Sequence, residues 1–252
     1  WDDLLIVAEK LKNNGITPFS LGSKNRWPSQ FWFEYILLRT AGYNYREDLM
    51  NKTARYTDLE VLRTMDIWKN LLDKDFINKD HKDMTWDNAA QLLVDEKAAM
   101  TLMGTWAIPY LEKEGMIPEV DYGFFPFPTI DNTVKTVALG PIDGVLLSSG
   151  SKKMEISKEI LSLFAEKDIQ EGFNLTSGAI APFNGVNEEA DSAIQLQIKS
   201  LIRKSPYWAF NYDLATEPAT SEAGLNFFRD FLDSPDQYEC LLIELQERIQ
   251  ND

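Results

Sequence analysis

Lys97-Ala-Ala-Met-Thr-Leu-Met-Gly-Thr-Trp-Ala-Ile-Pro-Tyr110 is the stretch whose reading decides the fold. Ala99 to Met103 has the length and apolar character of a short buried strand, and Gly104 stops it. Thr105 is placed to cap a following helix, which puts Trp106 in that helix's first turn, just past the strand's carboxyl end. Open α/β sheets form their ligand crevices at that position. A flat indole there offers a stacking surface. Taken alone, the same indole reads equally well as a core aromatic, so the rest of the chain has to decide.

Composition narrows the choice. The chain has 252 residues, 44% of them hydrophobic and 26% charged, the profile of a soluble globular protein with one large domain or two small ones. Its net charge of −15, from 40 acidic and 25 basic side chains, repels nucleic acid and suits a neutral or cationic ligand better than an anion. The single cysteine, Cys240, rules out an internal disulfide and a cysteine-based zinc site. It lies in an amphipathic helical pattern that predicts an inert, buried thiol. The single histidine, His81, sits in the polar run Asn78-Lys-Asp-His-Lys-Asp83, a poor foundation for a triad or a histidine–metal centre. No apolar run approaches the length that crosses a bilayer.

Along the chain, Trp1 to Gly15 reads as a helix with acids in its first turn and lysines in its last. It opens without a capping residue or a leader, as if the natural protein began upstream. Ile16 to Leu21 is strand-like, and a helix from Arg26 to about Thr40 follows. Phe31, Trp32, Phe33 and Tyr35 cannot share one face of that helix, which predicts that some of them face a cleft. Thr57-Asp-Leu-Glu60 is a capping box ahead of the stripe Val61, Met65, Trp68 and Leu72, so Trp68 reads as core. Thr85 starts a further short helix. Asp121 to Thr129 reads as a strand ending in a proline-punctuated turn. Val137 to Ser148 is strand-like but broken by Gly140, Pro141 and Gly144. Helices are expected from Ile156 to Lys167 and from Ile169 to Leu175, the latter closed by Gly178, and Ala179 to Phe183 is extended. Three more helices are marked by Ala190, Ile194, Ile198 and Leu201, by Phe227 to Leu232, and by Tyr238 to Ile249. Pro206 to Asp213 lies among them as a non-helical aromatic loop.

Trp27, Trp106, Trp208, Asp143 and Asp213 all fall at loop or strand-end positions, off any helical core stripe. Aromatic faces pack against the C–H faces of pyranoses, and carboxylates accept from their hydroxyls. A glycosidase using Asp143 and Asp213 as paired carboxylates is an alternative. So is an interaction module that binds no sugar. Phosphate-loop, dinucleotide-binding and zinc patterns are absent.

Five stretches sharpen this. They are Trp1-Asp-Asp-Leu4, Trp27 to Gly42, Lys97 to Ala107, Phe124-Phe-Pro-Phe-Pro-Thr129 and Gly178-Ala-Ile-Ala-Pro182. In this order they resemble the family 1 extracellular solute-binding proteins of ABC sugar importers, the maltose-binding-protein-like group, nearly end to end. The resemblance implies an α/β, two-lobed periplasmic-binding-protein-like (type II) fold, here mostly the second lobe plus a fragment of the first. Residues 1–138 would be the second lobe, 139–184 a crossover with the first-lobe fragment, and 185–252 a helical return. It also implies a non-enzymatic, extracytoplasmic carbohydrate-binding component, periplasmic or lipoprotein-anchored, with no required cofactor. Its partners would be a neutral sugar or oligosaccharide and the transmembrane subunits of an ABC permease. Trp106 matches the family's stacking aromatic, and Trp27, Asp143, Asp213 and Trp208 fall in segments expected to contact ligand.

The family's opening part is missing, which implies a truncated or processed piece of a longer protein. Residues 139–184 would then lack the strands they pack on and leave apolar surface bare. The isolated chain is expected to dimerise through that surface, and a monomeric mass in light scattering would refute this.

Overall fold

The computed structural model describes residues 1–181, 185–189 and 191–251. In chain order come α1 (Asp2–Asn13), β1 (Thr17–Ser20), α2 (Trp27–Thr40), α3 (Gly42–Met50), α4 (Leu59–Asp73), α5 (Trp86–Val94) and β2 (Ala98–Thr101). They are followed by α6 (Ala107–Lys113), β3 (Ala138–Leu139), α7 (Met154–Phe164), α8 (Lys167–Ser177) and α9 (Ala193–Lys204). The last elements are β4 (Trp208–Ala209), α10 (Tyr212–Ala215), α11 (Pro218–Asp233) and α12 (Tyr238–Asn251). The chain divides into two compact units. One comprises Trp1–Met103, Phe125–Gly140 and Leu201–Asp252; the other comprises Gly104–Phe124 and Pro141–Ser200.

The first unit is organised around α2. Trp32, Phe33, Ile36, Leu37 and Leu38 are all buried, so this helix is apolar around most of its circumference, the pattern of a helix enclosed on several sides. It packs against α4, α3 and α11. Phe33 meets Phe228 with ring centroids 5.0 Å apart, and Trp68 of α4 meets Phe231 at 4.7 Å. Trp68 is core, as its stripe requires. The aromatics of α2 do not face a cleft, however: Phe31, Trp32 and Phe33 are buried, and Tyr35 stacks on Phe127. Helical spacing separates them around the axis, and neighbours on several sides cover them all.

β1 and β2 pair in parallel, with Phe19 opposite Met100. The central strand is shorter and more open than its sequence suggests. It ends at Thr101, and of its residues Ala98 alone is buried, because the ladder has two strands. A second parallel pair joins β3 to β4. The strand-like run from Val137 to Ser148 thus contracts to Ala138–Leu139, and Trp208 lies in a strand rather than in a loop.

Residues 121–129 form no strand apart from an isolated Pro118–Tyr122 bridge. Pro126 and Pro128 carry no amide hydrogen for a ladder. Side chains anchor that segment instead: the Phe127 ring lies 5.1 Å from Tyr35 and 5.7 Å from Trp1. The cap of α4 is Asp58, and no side-chain capping bond forms. The Asp58 carboxylate is committed to the preceding bend, where Oδ2 accepts from the Arg55 amide at 2.9 Å and from the Tyr45 hydroxyl at 3.2 Å. His81 is buried rather than solvated, its Nδ1 lying 2.7 Å from Ser23 Oγ. Cys240 is exposed, on the outer face of α12.

In the second unit, α7 and α8 bury none of their residues. Ile156, Ile160, Leu163 and Phe173 of these two amphipathic helices lie exposed. Gly178 closes α8 in the left-handed conformation at φ 71°. Pro182, Phe183, Asn184 and Ala190 lie outside the described residues.

Glu34 is the one acid within α2, and it is fully buried. A buried carboxylate needs a counter-charge, and Arg46 of α3 supplies it through Nη2 and through Nε at 2.9 Å. Arg46→Ala is expected to cost about 3–5 kcal/mol, because it leaves the carboxylate unpaired. Urea unfolding checks this, and a loss below about 1 kcal/mol would show that the pair does not hold the unit together.

Candidate functional site

The second unit carries Trp106 and Asp143. Trp106 caps α6 instead of lying in its first turn, because the chain turns through Gly104-Thr105 before the helix starts. Its half-exposed six-membered ring folds back over Gly104 so closely that a Cβ there would fall 2.1 Å from the ring's Cζ3. Gly178, at the end of α8, approaches the same turn from another part of the chain. A Cβ on it would meet the Thr105 carbonyl oxygen at 2.6 Å and Pro109 Cδ at 2.7 Å. Two glycines therefore hold the indole's setting: one makes room for the ring, and the other lets a helix end abut the turn. Asp143 lies elsewhere in the unit, exposed on the irregular run after β3 beside exposed Ile142, Val145 and Leu146.

The first unit carries Trp27, Trp208 and Asp213. Trp27 opens α2 half-exposed, edge-on to Phe31 at 5.8 Å. The residue before it, Arg26, takes φ 63° and ψ −47° at the centre of a γ-turn closed by the Trp27 amide donating to the Asn25 carbonyl at 2.7 Å, a backbone conformation that costs a residue with a side chain about 1–3 kcal/mol. The Arg26 guanidinium holds that bend in place. It donates to both carboxylate oxygens of Glu222 at 2.6 and 3.2 Å, and to Asn226 Oδ1 at 2.9 Å. Trp208 packs its half-buried indole against Gly140, where a Cβ would lie 3.2 Å from Cζ2. Its Nε1 has no partner among the described residues.

Asp213 is half-buried on α10. Its amide donates to Gln30 Oε1 at 3.0 Å, and its Oδ1 is buried with no partner among the described residues. One residue earlier, the Tyr212 amide donates to Glu34 Oε2 at 2.8 Å. Burial pushes the Glu34 carboxyl up to about 7 against the pull of the adjacent Arg46 guanidinium. The Tyr212 hydroxyl meets that of Tyr56 at 2.7 Å, and burial pushes both phenols up.

Sequence reading missed Gln30, Glu34, Arg46 and Tyr212. The available signal was Glu34 itself, a lone acid inside the apolar run Phe31 to Leu38. Among the described residues no group of three histidine, cysteine, aspartate or glutamate side chains is placed to hold a metal ion. No described helix is long and apolar enough to cross a membrane.

The sequence model for bacterial extracellular solute-binding proteins matches residues 1–171. An uncharacterized ABC transporter extracellular-binding protein of Pyrococcus horikoshii is 35% identical over 204 residues, 81% of this chain and 44% of that protein. The multiple sugar-binding protein of Streptococcus mutans is 25% identical over 205 residues, 77% of this chain and 47% of that one. The chain thus spans about half the length of the curated relatives it matches. Among solved structures, the bacterial solute receptor AcbH, described as having an exclusive preference for β-D-galactopyranose, superposes with a TM-score of 0.87 at 22% identity. That match covers 100% of this chain and 64% of the receptor. The likeness carries the fold: the chain has the α/β architecture of solute-binding proteins.

Gly104→Ala is expected to swing the Trp106 indole off its seat and change the near-ultraviolet circular dichroism. The accompanying stability loss is expected to be about 1–3 kcal/mol, the usual cost of overpacking. An unchanged spectrum would refute the close ring–glycine contact.

Proposed function

The chain belongs to the bacterial extracellular solute-binding protein family, and from that premise we propose that it is part of an extracytoplasmic carbohydrate-binding component of an ABC importer. It captures a neutral sugar or oligosaccharide and hands it unchanged to membrane permease subunits, without catalysis and without a required cofactor. Trp106 and Trp27 stack on sugar rings, Asp143 and Asp213 accept from hydroxyls, and Trp208 adds a further apolar face. In family terms, residues 1–138 make the second lobe, 139–184 the crossover with a fragment of the first, and 185–252 the return.

The observation that carries this reading is the setting of Trp106. A half-exposed indole folded onto Gly104, with Gly178 seated against the same turn, is a rigid platform. A ring presented that way binds at little conformational cost, and pyranose C–H faces fit it. The net charge of −15 favours an uncharged ligand over an anion. The relatives' names point the same way: one is a sugar-binding protein, and one solved neighbour is described as a galactopyranose receptor.

Tryptophan fluorescence titrated with galactose, maltose, raffinose and chitobiose tests the proposal. At least one of them should give a saturable change and be recovered intact, and Trp106→Ala should weaken it at least about tenfold, ~1.4 kcal/mol. A flat response to every sugar overturns the reading.

A further inference from the structure

The segment from Phe210 to Asp213 is held by side chains of two other helices. Arg46 Nη2 donates to the Phe210 carbonyl. The Tyr212 amide donates to Glu34 at 2.8 Å, and the Asp213 amide donates to Gln30 at 3.0 Å. Gln30 and Glu34 are four residues apart on α2 and so share one face of it. Three successive backbone ties therefore set where the Asp213 carboxylate points. The carboxylate does not spend its own bonding capacity on that task, since its Oδ1 is buried without a partner among the described residues. Gln30 is fully buried, and its Nε2 likewise has no partner there. An acceptor and a donor are thus left unspent on two residues that are already joined by a hydrogen bond. Unspent buried polar groups persist where the surroundings over-determine them, as in sites organised ahead of a ligand.

We infer that Gln30, Glu34 and Arg46 are positioning residues that hold Phe210–Asp213 in its binding geometry before ligand arrives, with the half-buried Asp213 carboxylate turned to accept from a hydroxyl of a neutral sugar through its other oxygen, Oδ2. The inference rests on the sugar-binding reading above. Glu34 and Arg46 also stabilise the unit as an ion pair, so removing either confounds position with folding. Gln30 separates the two, because its bond to Asp213 is neutral and involves a half-buried residue of a one-turn helix.

Gln30→Met preserves volume and removes the acceptor. In the ligand-free chain, hydrogen exchange at the Asp213 amide is expected to rise about fivefold, the worth of one net hydrogen bond, with the thermal midpoint little changed. Affinity for whichever of the four sugars the parent chain binds best should fall about fivefold, through slower association. Gln30→Glu, which keeps an acceptor oxygen at the same reach, should restore the exchange protection. Unchanged exchange at Asp213 together with unchanged affinity in Gln30→Met overturns the inference. A parent chain that binds none of the sugars overturns the sugar-binding reading instead, and exchange at Asp213 then decides by itself whether Gln30 positions the segment.

Discussion

The ion pair between Glu34 and Arg46 is the constraint on which the first unit depends. Both side chains are removed from water, at 0% and 1% exposure, and neither charge is tolerable there without the other. Because the carboxylate sits in the middle of α2, the pair fixes how α3 lies against that helix. The same two groups then reach a third part of the chain, through the Phe210 carbonyl and the Tyr212 amide. One buried electrostatic contact so joins segments more than 160 residues apart in sequence. Aromatic packing of Phe33 on Phe228 and of Trp68 on Phe231 joins α2 to α11 and α11 to α4.

In the second unit the corresponding constraint is steric. The Gly-Thr-Trp turn and Gly178 lie far apart in sequence, yet they meet because Gly178 has no Cβ to strike Thr105 and Pro109, while Gly104 leaves room for the indole itself. Aromatic presentation is thus achieved by subtraction. Trp106 stays half-exposed while its position is set by backbone contacts rather than by deep burial. The bare apolar faces of α7 and α8 show the other side of this economy: with little core of its own, the unit leaves much of its hydrophobic surface in water.

Much was legible from residues alone. Helices with a clear 3.6-residue stripe, such as α4, α7 and α12, lie close to where periodicity puts them, since amphipathic spacing is a local property, whereas α11 starts at Pro218, nine residues before its aromatic stripe. The glycine end of α8 follows from a preference equally local. Sequence misjudged α2, reading its many aromatics as a cleft, because burial from several sides depends on neighbours that a single helix does not encode. It overextended the strands for a similar reason: a run such as Val137 to Ser148 becomes a strand only as far as a partner exists to bond it.

The candidate site divides along the same line. Sequence alone determined which residue types were on offer: tryptophans and aspartates at loop and strand-end positions, one lone acid in an apolar helix, and a glycine two residues before Trp106. Their order along the chain also determined the family resemblance. Only the tertiary structure decided that Gly178 lies against the Trp106 turn, that Gln30 and Glu34 take the amides of Asp213 and Tyr212, and that Trp208 rests on Gly140. Local propensity governs what a segment can form. Which polar group finds which partner is settled by long-range packing, because those partners lie on segments far apart in sequence.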